Sequence, residues 1–136
     1  MVGITKNLKI VLVINAVIDL CFAFFYLAIS QLYLSLIEWP FYDPYYSWAF
    51  GGIFLILSIF ILLSLKQNNW EKIKTILQVL IAWQLMILVL NVISLILIPS
   101  PIVSIITIWI YNITLILLVI TNILFYMKNI QEQEFS

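Results

Sequence analysis

A chain of 136 residues that is 65% hydrophobic and only 9% charged is not a soluble domain, where those fractions run at roughly 45–50% and about 25%. A hydrocarbon core about 30 Å thick is crossed by roughly 20 apolar residues in a helix, so this length holds four spans and no separate soluble domain. The formal net charge is zero, there is no histidine and no arginine, and Cys21 is the single cysteine. Metal, haem and thiol-redox chemistry within the chain, and with them any cofactor, are therefore not expected.

The first span is predicted over residues 10–29, just after Lys6-Asn7-Leu8-Lys9. A signal peptide has a similar basic start, but its apolar core is shorter, and this run carries Asp19 at its centre and is followed by three more spans. An ionised acid at mid-membrane costs about 2.5–3.5 kcal/mol on insertion scales, so Asp19 must be paired, hydrated or protonated. Asn15, Asp19 and Tyr26 stand four and seven residues apart, which places them on one helical face. A polar stripe turns away from lipid, so this face points into the bundle. Asp19 is then either a neutral acid that fixes helix packing through hydrogen bonds to Asn15 or the later spans, or a carboxyl that binds a proton, a cation or a ligand.

Residues 30–47 follow as an outward loop in which Pro40 and Pro44 bar regular helix. The loop carries Tyr33, Trp39, Phe41, Tyr42, Tyr45 and Tyr46. Tyr and Trp gather at bilayer surfaces as amphipathic anchors, and the competing reading is a proline-stiffened lid over the outer mouth of the bundle. The second span, residues 48–65, has Ser47, Gly51 and Ser58 on one face, small residues that let a neighbouring helix approach closely. A polar turn at residues 66–72 leads to the third span, residues 76–98, where Gln84 and Asn91 share a face. Trp70 in that turn is read as a surface anchor.

Pro99-Ser100-Pro101 ends the third span and forces an antiparallel hairpin with the fourth, residues 102–127. Ser104, Thr107, Tyr111, Thr114 and Thr121 recur there at three- and four-residue steps, or sums of them. Such hydroxyl stripes are ordinary packing seams, so this one is expected to face the other helices and to be less exposed than Ile108, Ile116 and Ile120. Tyr111 and Asn112 are the expected partners for Asp19.

All six lysines fall on one side of a four-span arrangement, and the other side receives Glu38 and Asp43. Positive charge near span ends stays in the cytoplasm. The chain is therefore expected to be a single multi-pass domain of the cell membrane, residues 1–136, an all-α bundle with both termini cytoplasmic.

Pro40, the Gly51-Gly52 pair opening the second span and the polar turn ending at Trp70, set in a four-span outline with an aromatic outer segment, resemble the DoxX-like group of small membrane proteins. Some members of that group work beside oxidoreductases or quinone-linked complexes. The resemblance implies an accessory membrane subunit. With no histidine, no nucleophile beside a base and no glycine-rich phosphate loop, the residues point to a non-catalytic accessory or anchoring protein, with partners that are the bilayer and another membrane protein or a second copy, and not nucleic acid. From the residues themselves comes the alternative of a lipid, small-molecule or cation-binding protein that uses Asn15, Asp19, Tyr26, Gln84, Asn91 and Tyr111.

Overall fold

The computed structural model describes residues 4–134. Among them are five helices and no strand: α1 Lys6–Leu27, α2 Ser30–Leu36, α3 Pro44–Gln67, α4 Trp70–Leu97 and α5 Ile102–Glu134. Four of these, α1, α3, α4 and α5, are long and apolar enough to cross a membrane. The chain is thus an all-α bundle of the multi-pass membrane type. The two chain ends, expected on the cytoplasmic side, lie outside the described residues.

The helix bounds differ from the predicted spans: α1 and α4 start earlier and stop slightly short, α5 runs on at its end and α3 extends at both, because a hydropathy run marks contact with hydrocarbon while a helix end is set by where free backbone amides find acceptors. The Thr5 hydroxyl accepts from the Leu8 amide at 3.3 Å. Asp43 accepts from the amides of Tyr45 and Tyr46, with Pro44 in the first turn of α3, and the Asn69 side chain accepts from the Glu71 amide at 3.0 Å. At about 1.5 Å per residue the 33 residues of α5 reach roughly 50 Å, longer than the hydrocarbon is thick.

The outer segment corrects the expectation of a loop over residues 30–47. Its first part is α2, and only residues 37–43 lack helix. The prolines exclude helix just around themselves, leaving Ser30–Leu36 free to coil. That helix closes with Glu38 in the left-handed region at φ 54°, its amide bonded to Ser35 O and the Trp39 amide to Leu34 O. This is the double closure that ends many helices.

α1 packs along α3 and α4 along α5, giving two hairpin-like halves. The first contact is close because Gly51 is small: a Cβ there would lie 2.7 Å from Leu27 Cγ and 3.0 Å from Tyr26 Cβ. Lower on the same face, the Ser58 hydroxyl donates to Ala16 O at 3.1 Å. Ser47, Gly51 and Ser58 are all buried, so the small-residue face is an internal seam. One end of the bundle is filled by Leu8, Leu12, Ile61, Ile73, Leu77 and Leu80, and every lysine belongs to the helix ends that meet there. Trp70 joins this core at 7% exposure and packs near Tyr126, ring centroids 6.1 Å apart. It is not the surface anchor that its place in a polar turn suggests.

Candidate functional site

Three buried amides tie the two halves together near mid-height. Asn15 of α1 and Asn122 of α5 donate to each other's side-chain oxygens, at 3.0 and 3.2 Å. Gln84 of α4 donates to Asn15 Oδ1 at 2.8 Å and accepts from Asn122 at 3.0 Å. The second hydrogen of the Asn15 amide goes to Val11 O. With these bonds made, both amide hydrogens of Asn15 and of Asn122 are used.

Asn122 is not among the residues that the sequence singles out, and of the stripe expected on α5 only Ser104 lies on the buried face, the other four standing to one side of it. The buried face is Ser104, Ile108, Asn112, Val119, Asn122 and Asn129, while Thr107, Tyr111 and Thr121 are intermediate and Thr114 is exposed. Of the three isoleucines expected on the lipid side, Ile108 is buried, while Ile116 and Ile120 are exposed. The physical reason is that the threonines satisfy themselves: Thr107, Thr114 and Thr121 each donate to the carbonyl four residues back. A threonine so bonded can face lipid. An asparagine side chain has more hydrogen-bonding positions than its own helix can fill, so it must turn inward. The steps 112, 115, 119, 122, 126 and 129 carry that signal in the sequence.

Above the amide cluster the helices separate around a cavity. It is lined by Asp19, Gln84, Asn91 and Thr114, by the rings of Phe22, Tyr26, Phe50, Phe54, Trp83 and Tyr111, and by aliphatic side chains. The space open to the centres of water molecules is about 80 Å³, several times the roughly 10–15 Å³ that one water needs. Five of the six residues singled out from the sequence, Asp19, Tyr26, Gln84, Asn91 and Tyr111, therefore line one cavity. Asn15 lies just below it in the amide cluster.

Asp19 is 5% exposed and points into the bundle, but the expected hydrogen bonds are absent. Its Oδ2 has no partner among the described residues. Asn15 is committed to the amides, Asn112 accepts from Asn91 at 2.9 Å, and the Tyr111 hydroxyl is bonded to that of Tyr33. The Trp83 indole N–H on the same cavity and the Asn112 side-chain N–H are also unpartnered. Buried polar atoms are nearly always satisfied, and an unmade bond in low dielectric is costly. A carboxyl and an indole N–H are thus left free on one aromatic-walled space that has room for a guest or for water.

A second space lies on the side of the bundle away from the lysines. Tyr26, Phe50, Asn91 and Tyr111 line both it and the inner cavity, and the rest of its wall includes Trp39, Phe41, Asp43, Tyr46, Ser94 and Thr107. On the same measure it offers about 350 Å³. The outer aromatics thus divide their roles. Tyr33 is buried at 8%, whereas Tyr45, Tyr46 and Trp48 are more than half exposed, as surface anchors are.

Comparison with family models, with curated proteins and with solved structures gives no match.

Proposed function

We propose that this is a small membrane binding protein whose cavity takes a small organic cation, an ammonium head held by the Asp19 carboxylate and enclosed by aromatic rings. The unpartnered, buried Asp19 oxygen on an aromatic-walled cavity carries this reading. Rings attract a cation through their negative faces, by about 2 kcal/mol or more when water is excluded. A carboxylate at mid-membrane gains more from a bound cation than from any neutral guest, since that cation is its counter-charge. No lysine sits in the middle of a span to compete for it. We further propose that the lysine end of the bundle faces the cytoplasm and that the membrane is the cell membrane.

Equilibrium binding of tetramethylammonium to the protein in nanodiscs tests this, with neopentyl alcohol as an uncharged guest of similar shape. The expected result is saturable binding of the cation that Asp19→Asn weakens at least tenfold, and no comparable binding of the alcohol. Equal binding of both, or binding indifferent to Asp19→Asn, overturns it.

The accessory-subunit reading is favoured by a different observation. Thr114, expected to face the other helices, is exposed beside an outward groove formed with Val11, Ile14, Leu117, Leu118 and Thr121. A face of that kind suits contact with a helix of another membrane protein. Purification in mild detergent distinguishes the two: a stoichiometric protein partner lost on Leu117→Trp, a change in the groove that does not line the inner cavity, supports assembly, and its absence removes this second reading.

A further inference from the structure

We propose that the outer space is the second half of the same binding site: it takes the apolar tail of the ammonium ligand whose head reaches Asp19, and the Tyr33–Tyr111 hydroxyl pair latches the passage between the halves. This rests on the assignment of the inner cavity to an ammonium head. The two spaces share Tyr26, Phe50, Asn91 and Tyr111 in their walls, so they adjoin and their occupants meet the same four side chains. Their sizes differ in the right sense. The inner one, about 80 Å³, suits a head group, and the outer one, about 350 Å³, has room for a chain.

The outer space is also apolar where a tail would lie, with Leu34, Ile37, Trp39, Phe41, Leu90 and Ile108 on its wall. Its polar side is acidic: Asp43 lines it, Glu38 is nearby in the chain, and no basic residue occurs anywhere in residues 10–65. A cation approaching from this side meets only negative charge, which raises its local concentration.

The latch is built from α2. Tyr33 is held by Phe25, stacked at 5.1 Å, and by the edge of Tyr26 at 5.5 Å, and its hydroxyl reaches Tyr111, which stands in the wall common to both spaces. The Ser104 hydroxyl lies 2.7 Å from Ile37 O and 2.8 Å from Glu38 O and fastens the far end of α2 to α5. Breaking the tyrosine bond frees Tyr111 to swing without unfolding either helix.

The experiment compares tetramethylammonium with hexyltrimethylammonium on the protein in nanodiscs, in four variants. Ser94→Phe fills the outer space from a position that does not line the inner one. It should weaken the hexyl compound at least tenfold and leave tetramethylammonium within twofold. Thr107→Phe, which fills the same space from α5, should act alike and guards against a folding defect in the first. Tyr33→Phe should raise the association rate of either cation about threefold or more, the factor for one interhelical hydrogen bond in a membrane. Asp19→Asn should weaken binding of both at least tenfold.

If Asp19→Asn has no effect, the inner site itself is refuted. If binding depends on Asp19 but both filling variants weaken the two cations equally, or weaken neither, the outer half of the site is refuted while the inner one stands. An unchanged association rate in Tyr33→Phe refutes the latch.

Discussion

Replacing Asn122 by alanine removes three side-chain hydrogen bonds that join α1, α4 and α5, two with Asn15 and one with Gln84. Interhelical hydrogen bonds in membranes average about 0.6 kcal/mol and reach about 1.7, which puts the bonds alone near 2 kcal/mol. The change also leaves Gln84 Oε1 without its donor in a site where Asn122 and Gln84 are at most 3% exposed. An orphaned buried acceptor adds about 1–3 kcal/mol, so the expected total loss is about 3–5 kcal/mol. Unfolding in mixed micelles of rising dodecyl sulfate fraction measures it. Combining Asn15→Ala with Asn122→Ala should cost less than the sum of the two, by about 1 kcal/mol or more, because each removes the same reciprocal pair. A single variant within about 0.5 kcal/mol of the parent, or strict additivity, would refute the account of the cluster as the bond between the two halves, since well-packed contact partners of this kind couple by at least that much.

At the α1–α3 seam, Gly51→Ala should destabilise by about 1–3 kcal/mol through overpacking, because its Cβ would meet Leu27 and Tyr26 at 3.0 Å or less. Gly52→Ala, where a Cβ meets nothing within 4 Å, should be neutral or slightly stabilising in the same unfolding assay. For orientation, cysteines introduced at Tyr42 and Ser100 in a Cys21→Ala background should react with an impermeant maleimide added outside cells, and one at Gln67 should not. Strong labelling at Gln67 from outside would invert the proposed topology.

The four spans were legible because hydrocarbon imposes length and composition on anything that crosses it. The Asp19 face was legible for the same reason, since an acid and an asparagine four residues apart on such a helix have one place to go. Gln84 and Asn91 followed by the same logic. What failed was the treatment of hydroxyls and amides as equivalent on α5. In water either marks an exposed face, but in a membrane a threonine bonded to its own helix is nearly apolar on the outside, while an asparagine stays polar until another helix meets it. Reading Asn112, Asn122 and Asn129 in place of the threonines finds the buried face. α2 was hidden for a different reason: Pro40 and Pro44 exclude helix only over a few residues, and the seven residues of α2 are too short a run to show a period. The cavity was not legible at all, because no sequence rule says that Asn15 gives its bonds to Gln84 and Asn122 and leaves Asp19 with none.

The most direct test of the central claim is a crystal or cryo-electron microscopy structure of the protein with a bromine-labelled alkyltrimethylammonium. The account predicts the ammonium nitrogen within about 4–5 Å of the Asp19 carboxylate and over the ring faces of the inner cavity, the range at which carboxylate pairing and cation–π attraction act, with the bromine in the outer space beside Ser94 and Thr107. Density for the compound only on the lipid-facing surface, with Asp19 hydrogen-bonded to another side chain and the cavity closed, would contradict it.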